Sequence, residues 1–399
     1  MASSHAAATH AATHAATPAA TPAATAVAAA RHAGLDLLRA ATTLLVVFHH
    51  AAITYGAQGG WFYRELAPGD AWSSRLLSFF CALNQAWFMG LFFLLAGYFT
   101  PPALARRGVL RFLAARALRL GLPWLLFVLL LGPLTVALAR TARGDGLFDT
   151  LRWLAGHRVF EPGPLWFAQA LMLAALGAAL WHLLVSGQPP RDRLAAAFPS
   201  QQVLAAAALG TGLVAFGLRL LWPVGVSVAG MQWGYFASYA LLFVAGWAAA
   251  APDWLQQPPA DRVRRWRRVA RWAVPVLPVV ALSAGWLPGL QGRVEGGWSL
   301  LALVYALWEP LVAWGVLLGL LARVQRLSAD IGPVWLALSR RAFAIYVIHP
   351  PVLVAVALAW ATVPAPALLK FALTGTLACV LCYSLAGALL RLPGVARVL

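Results

Sequence analysis

The sequence predicts an all-α integral membrane protein, a bundle of about ten transmembrane helices with both termini in the cytoplasm. Three observations carry that reading. Hydrophobic residues fill 62% of the 399 positions and charged residues only 11%, against about 45–50% and about 25% in soluble domains. The apolar residues gather in long runs, and a bilayer crossing needs about 20 of them in succession. The basic residues fall between those runs, mostly on one side.

The ten segments, in order, begin with 37–56, which ends in a histidine pair. Next come 76–99, rich in Phe and holding Cys81, and 117–139, which follows a cluster of arginines and contains Pro123. Then follow 163–185, 201–222 with Arg219 inside it, and 232–250. The seventh, 270–288, carries Pro275 and Pro278; the eighth, 298–321, carries Glu309. The ninth, 341–359, carries His349 before two prolines, and the tenth, 366–390, carries Cys379 and Cys382. Membrane helices tolerate such prolines where neighbours satisfy the freed carbonyls.

Arginine placement sets the orientation. With a cytoplasmic N-terminus, the inner side collects Arg31, Arg39, the arginines from Arg106 to Arg119, Arg191 and Arg193, the run Arg262–Arg271, and then Arg323, Arg326, Arg340, Arg341, Arg391 and Arg397. That is twenty-one of the thirty basic residues, and the positive-inside rule then keeps both termini in the cytoplasm. A net charge of +18 would suit a nucleic-acid binder only if it lay on one soluble face. Spread over loops it does not, so no nucleic-acid partner is expected.

The three cysteines lie in apolar segments, at no metal-ligand spacing, and read as small buried hydrophobes. Residues 1–30 repeat Ala-Ala-Thr with scattered His and Pro. They lack the basic and Leu-rich regions of a signal peptide and the large apolar groups that offset ordering entropy. They are expected to form a disordered Ala/Thr/His/Pro tail, leaving 31–399 as the transmembrane domain.

Ionisable groups inside a span cost a few kcal/mol or more each and are functional candidates by default. In the first segment, Arg39 and His50 are eleven residues apart. At 1.5 Å per residue that is roughly 16 Å, and eleven steps of about 100° return nearly to the same direction. Asp36 lies one turn before Arg39, placed for a local ion pair. In the ninth segment, Pro350 and Pro351 cannot donate to the carbonyls of Tyr346 and Val347. A kink is therefore expected beside His349, which either caps those carbonyls or works chemically. Glu309 would be protonated or would seek a cation. It either pairs with Arg219 or orients a catalytic histidine, and the sequence leaves both readings open. Arg111, Arg116 and Arg119 open the third segment, with the last two one turn apart, as two guanidinium forks around a phosphate would be.

Together these stretches resemble the acyltransferase 3 family of membrane acyltransferases. The likeness runs through Leu35-Asp36-Leu37-Leu38-Arg39 to His50, then Phe92 to Gly97-Tyr98, then Arg116 and Arg119. It continues through Gly163-Pro164-Leu165-Trp166-Phe167 and from Leu338-Ser339 to Tyr346, His349 and Pro350. Gly163 to Trp166 and Trp308-Glu309-Pro310 are also similar to the family's glucan-decorating branch. Ala96 stands where some members carry a serine, so no serine nucleophile is offered there.

The resemblance implies transfer of an acyl group, acetyl or succinyl, from cytoplasmic acyl-CoA to a hydroxyl of an extracytoplasmic glycan or glycolipid. The setting would be a bacterial-type plasma (inner) membrane. A thioester is already activated, so acyl-CoA serves as co-substrate and no metal is required. The candidate catalytic residues are His50 as general base, Arg39 as its partner, His349 and Glu309. The candidate coenzyme A grip is Arg116, Arg119 and Arg111. A histidine suits the removal of a hydroxyl proton at neutral pH, and a second donor is needed for the thioester oxyanion. The alternative is a proton-coupled transporter relaying protons through Glu309, His50 and His349; it gives the arginines no special task.

Overall fold

The computed structural model describes residues 22–159, 161–185, 197–283, 294–327 and 331–399, and the side chains of all of these except 22–32 and 281–283. Among the described residues the protein is helical, with only two isolated bridges, Tyr55 to Leu66 and Val228 to Met231. Eight helical stretches there are long and apolar enough to cross a bilayer.

The first helix, α1, spans Pro22–Thr54. Helix therefore begins nine residues earlier than the tail expected over 1–30 allowed. The cause is local: proline is preorganised for a helix start, and alanine has the highest helix propensity. The remainder of that tail, 1–21, lies outside the described residues.

The expected second and third segments fall within one helical stretch, Trp72–Thr141. Its 70 residues would reach roughly 105 Å if straight, more than three times the ~30 Å hydrocarbon thickness. The break is at Gly108, with φ 70° and ψ 166°, a conformation open to glycine because it has no Cβ. Helix α2, Trp72–Arg116, runs up to and across this break. Beyond it, two π-turns, Ala117–Gly121 and Phe127–Leu131, flank α3, Leu122–Leu126, and lead into α4, Gly132–Thr141. Each widened turn closes two residues before a proline, Pro123 or Pro133. A proline removes one donor from the ladder, and the preceding turn adopts the i→i+5 pattern found at such insertions.

A short helix α5, Leu147–Gly156, precedes α6, Trp166–Val185, α7, Gln201–Leu221, and α8, Phe236–Ala250. The expected seventh segment, 270–288, starts differently. Residues 270–273 close a basic amphipathic helix, α9, Ala260–Ala273, and α10, Val276–Ser283, starts afresh after Pro275. The rest of that segment lies outside the described residues. Then come α11, Leu300–Leu327, α12, Pro333–Ala359, α13, Ala367–Leu389, and the terminal turn α14, Val395–Val398. Helix α12 starts eight residues before the expected segment because Pro333 follows Gly332 at a favourable N-terminal position. It also stays helical through Pro350 and Pro351, so the double proline does not end the helix beside His349.

Small residues set the tightest crossing, between α2 and α8. A Cβ on Gly97 would lie 2.0 Å from the Phe243 carbonyl oxygen, and one on Gly246 would lie 2.0 Å from that of Leu94. The two backbones touch with no side chain between them, the mode favoured where lipid supplies no hydrophobic drive. Helix α1 packs against α2, α12 and α13. This gathers the first and last spans around one core that includes Val46, Val47, Phe88, Phe93, Ile345 and Tyr346.

Candidate active site

The described residues place two of the sequence candidates together. His50 of α1 and His349 of α12 stack with ring centroids 5.4 Å apart and planes 17° apart. Trp61, from the loop after α1, completes the group. Its ring lies 3.9 Å from His50 and 5.9 Å from His349, nearly parallel to both. His49 stands edge-on to His50 and leans on Phe88. This is a near-parallel trio of polar aromatic rings, built from both ends of the chain.

The trio is unusual for what it leaves unbonded. Nδ1 of His50, Nε2 of His349 and Nε1 of Trp61 are all buried without a hydrogen-bond partner. Buried polar atoms are nearly always paired, and here three unpaired ones lie on neighbouring rings. His349 is wholly buried, whereas His50 is only partly so, which leaves His50 as the ring with access.

The His349 ring is held from behind. Nδ1 of His349 lies 2.6 Å from the Tyr346 carbonyl, the oxygen that Pro350 cannot serve. The Tyr346 hydroxyl in turn donates to the Pro164 carbonyl. The Gly-Pro-Leu-Trp stretch thus acts through its backbone, and Trp166 goes on to stack on Tyr239. Tyr239 lies flat on Phe93 at 4.8 Å, so the Phe-rich stretch of α2 is packing for the site. Farther in, Ser339 donates to the Asp36 carbonyl at 3.2 Å and ties α12 to α1.

The loop carrying Trp61 is pinned at several points. Arg64 donates to the carbonyls of Ala57 and Gly59. Glu65 and Leu66 donate backbone N–H groups to the Thr54 carbonyl. Lys370 of α13 pairs with Glu65 and also donates to the Ala361 carbonyl at 3.1 Å. Sequence reasoning missed Trp61, Glu65 and Lys370 as parts of the site. The available signal was the Gly59-Gly60-Trp61 turn directly after the histidine helix, together with one intramembrane lysine in need of a carboxylate.

The other candidates lie elsewhere. Arg39 pairs with Asp36 at 2.9 Å, both half-exposed. Glu309 takes the cation, of the two partners its position allowed. It pairs with Arg219, and both are buried. Arg219 also donates to the Gly234 carbonyl at 3.1 Å and is flanked by the rings of Tyr235 and Tyr305. Arg116 is the last residue of α2, over the Phe112 ring at 5.2 Å. Arg119 sits in the first π-turn, so the regular helical turn expected between the two is widened, yet Arg107 and Arg119 each stay close enough to act on the Arg116 charge. Arg111 is exposed.

A helical, multi-pass membrane protein with a histidine pair stacked between its first and penultimate long helices is thus the class that fold and site define. The chain belongs to the acyltransferase 3 family: residues 32–387 match that family's acyltransferase domain. It is accordingly a membrane acyltransferase. No curated protein and no solved structure matches the chain.

Proposed function

We propose that this chain moves an acetyl or succinyl group from cytoplasmic acyl-CoA to a hydroxyl of an extracytoplasmic glycan or lipid-linked sugar, from a bacterial-type plasma (inner) membrane with both termini inside. The observation that carries the reading is the near-parallel trio of His50, Trp61 and His349 with its unbonded nitrogens, inside an acyltransferase domain.

The chemistry needs only groups of that centre and a thioester. His50 takes the proton of the acceptor hydroxyl through its accessible nitrogen as the oxygen attacks the thioester carbonyl. The tetrahedral intermediate collapses with loss of the C–S bond, and the leaving thiolate recovers the proton from His50. The Trp61 N–H is free to donate to the oxyanion; the Tyr346 hydroxyl is not, since Pro164 occupies it. The arginines at the start of the third span supply charge for the phosphates of coenzyme A, with Arg39 at the same end of α1. Glu309, neutralised by Arg219, holds helices together.

The test compares masses of surface and periplasmic glycans from cells with and without the protein. An increment of about 42 Da for acetyl or about 100 Da for succinyl, fixed by the chemistry of ester formation, should depend on the gene. Unchanged glycans, together with coenzyme-A-independent solute uptake by reconstituted vesicles, would favour a transporter.

A further inference from the structure

Proline in a helix interior leaves the carbonyl four residues earlier without its donor. In α12 that carbonyl belongs to Tyr346, and the residue that uses it is His349, through Nδ1 at 2.6 Å. A carbonyl oxygen can only accept, so Nδ1 of His349 must carry the hydrogen. In the neutral ring Nε2 then holds a lone pair and is an acceptor. That Nε2 is buried and unbonded. Across a 5.4 Å ring-to-ring separation lies His50, whose Nδ1 is also buried and unbonded. If His50 accepts substrate protons at its accessible Nε2, its neutral ring carries hydrogen on Nδ1. The two orphans are therefore complementary, one donor and one acceptor.

We infer that His349 is the positioning residue for His50, receiving its Nδ1–H through Nε2, and that Pro350 fixes the required tautomer by leaving the Tyr346 carbonyl free. This rests on the general-base role proposed for His50. The two nitrogens are not bonded to each other in this structure; a turn of His50 about its Cβ–Cγ bond brings the donor towards the acceptor. No proton leaves His50 Nδ1 in the cycle; the contact orients the ring and supports the positive charge it gains while holding the substrate proton. It is the arrangement in which an orienting partner behind a base selects its tautomer, here with an imidazole in place of a carboxylate. Proline thereby gains a chemical task besides its conformational one.

Pro350→Ala tests this directly. It restores an N–H aimed at the Tyr346 carbonyl, in competition with His349. Removing a proline from a helix interior should leave the melting temperature unchanged or higher. Turnover should nevertheless fall about 10-fold or more, the scale on which orienting partners act, with KM for acyl-CoA within about twofold. Pro351→Ala is the control. It returns a donor to Val347, whose carbonyl His349 does not use, and turnover should stay near wild type. Equal losses in both variants, or full turnover in Pro350→Ala, would overturn the inference. A second measurement is independent of turnover. Nitrogen-15 spectra of histidine-labelled wild-type protein, assigned with His349→Gln, should show neutral His349 protonated at Nδ1. Protonation at Nε2 overturns the inference even in an active enzyme. An inactive wild type with His349 protonated at Nδ1 would instead count against the acyl-transfer reading and leave the positioning contact standing.

Discussion

The protein buries ionisable side chains in two places and treats them in opposite ways. At the α7–α11 contact, Arg219 and Glu309 neutralise each other, with a backbone carbonyl and two tyrosine rings filling the space around the guanidinium. At the α1–α12 contact, two imidazoles and an indole lie beside one another and leave one nitrogen each unbonded. The first arrangement spends its polarity on the fold. The second keeps its polarity available. Membrane depth alone does not mark a working group, and neither does an unbonded atom, since Arg219 Nη1 and Glu309 Oε1 are also buried without a hydrogen-bond partner; what sets the α1–α12 contact apart is a set of polar rings with no ion pair among them.

That contrast can be broken by substitution. The largest effect expected is on rate: His50→Ala should lower acyl transfer by about 10²–10⁴-fold, the range for a general base, at near-normal protein levels. The measurement is acyl incorporation into glycan beside an immunoblot of the membrane fraction, and unchanged transfer would remove His50 from the chemistry. Glu309→Ala should act on stability instead. It strands a buried guanidinium at a cost of about 3–5 kcal/mol, read as a lower melting temperature in detergent and less folded protein. A Glu309→Ala protein that is fully stable yet inactive would move Glu309 to the catalytic side of the comparison. The smallest effect belongs to the half-exposed pair on α1. Asp36→Ala should change stability by less than about 1 kcal/mol, as for surface ion pairs, and a larger loss by thermal melting would show that this pair is shielded as the other is.

Much of the architecture could be read from the chain because hydropathy acts over lengths close to a bilayer crossing. The expected 163–185, 201–222 and 232–250 agree with Gly163–Val185, Gln201–Leu221 and Trp233–Ala250 within a residue. Disagreements fall where one residue decides the backbone. Gly108 breaks a continuous helix that hydropathy divides only by its charges, and Pro275 separates an amphipathic helix from an apolar one. The site was legible in part. Same-face spacing on α1 singled out His50, and the double proline singled out His349, but nothing local says that residues 299 positions apart in sequence meet. The two open choices for Glu309 needed the structure, since a carboxylate's partner is fixed by helix neighbours rather than by sequence distance. Trp61 escaped notice because a loop tryptophan beside a membrane span usually reads as an interfacial anchor.

The strap between Lys370 and Glu65 bears on how the protein is made. Ribosomes deliver α1 first, and the loop bearing Trp61 follows at once, yet its lysine anchor lies on α13 and its second imidazole on α12. A nascent chain holds His50 but neither His349 nor the anchor until its final pair of long helices has entered the bilayer. Assembly of the centre is thereby tied to the insertion of α12 and α13: a protein truncated before α12 carries the first histidine without its stacking partner.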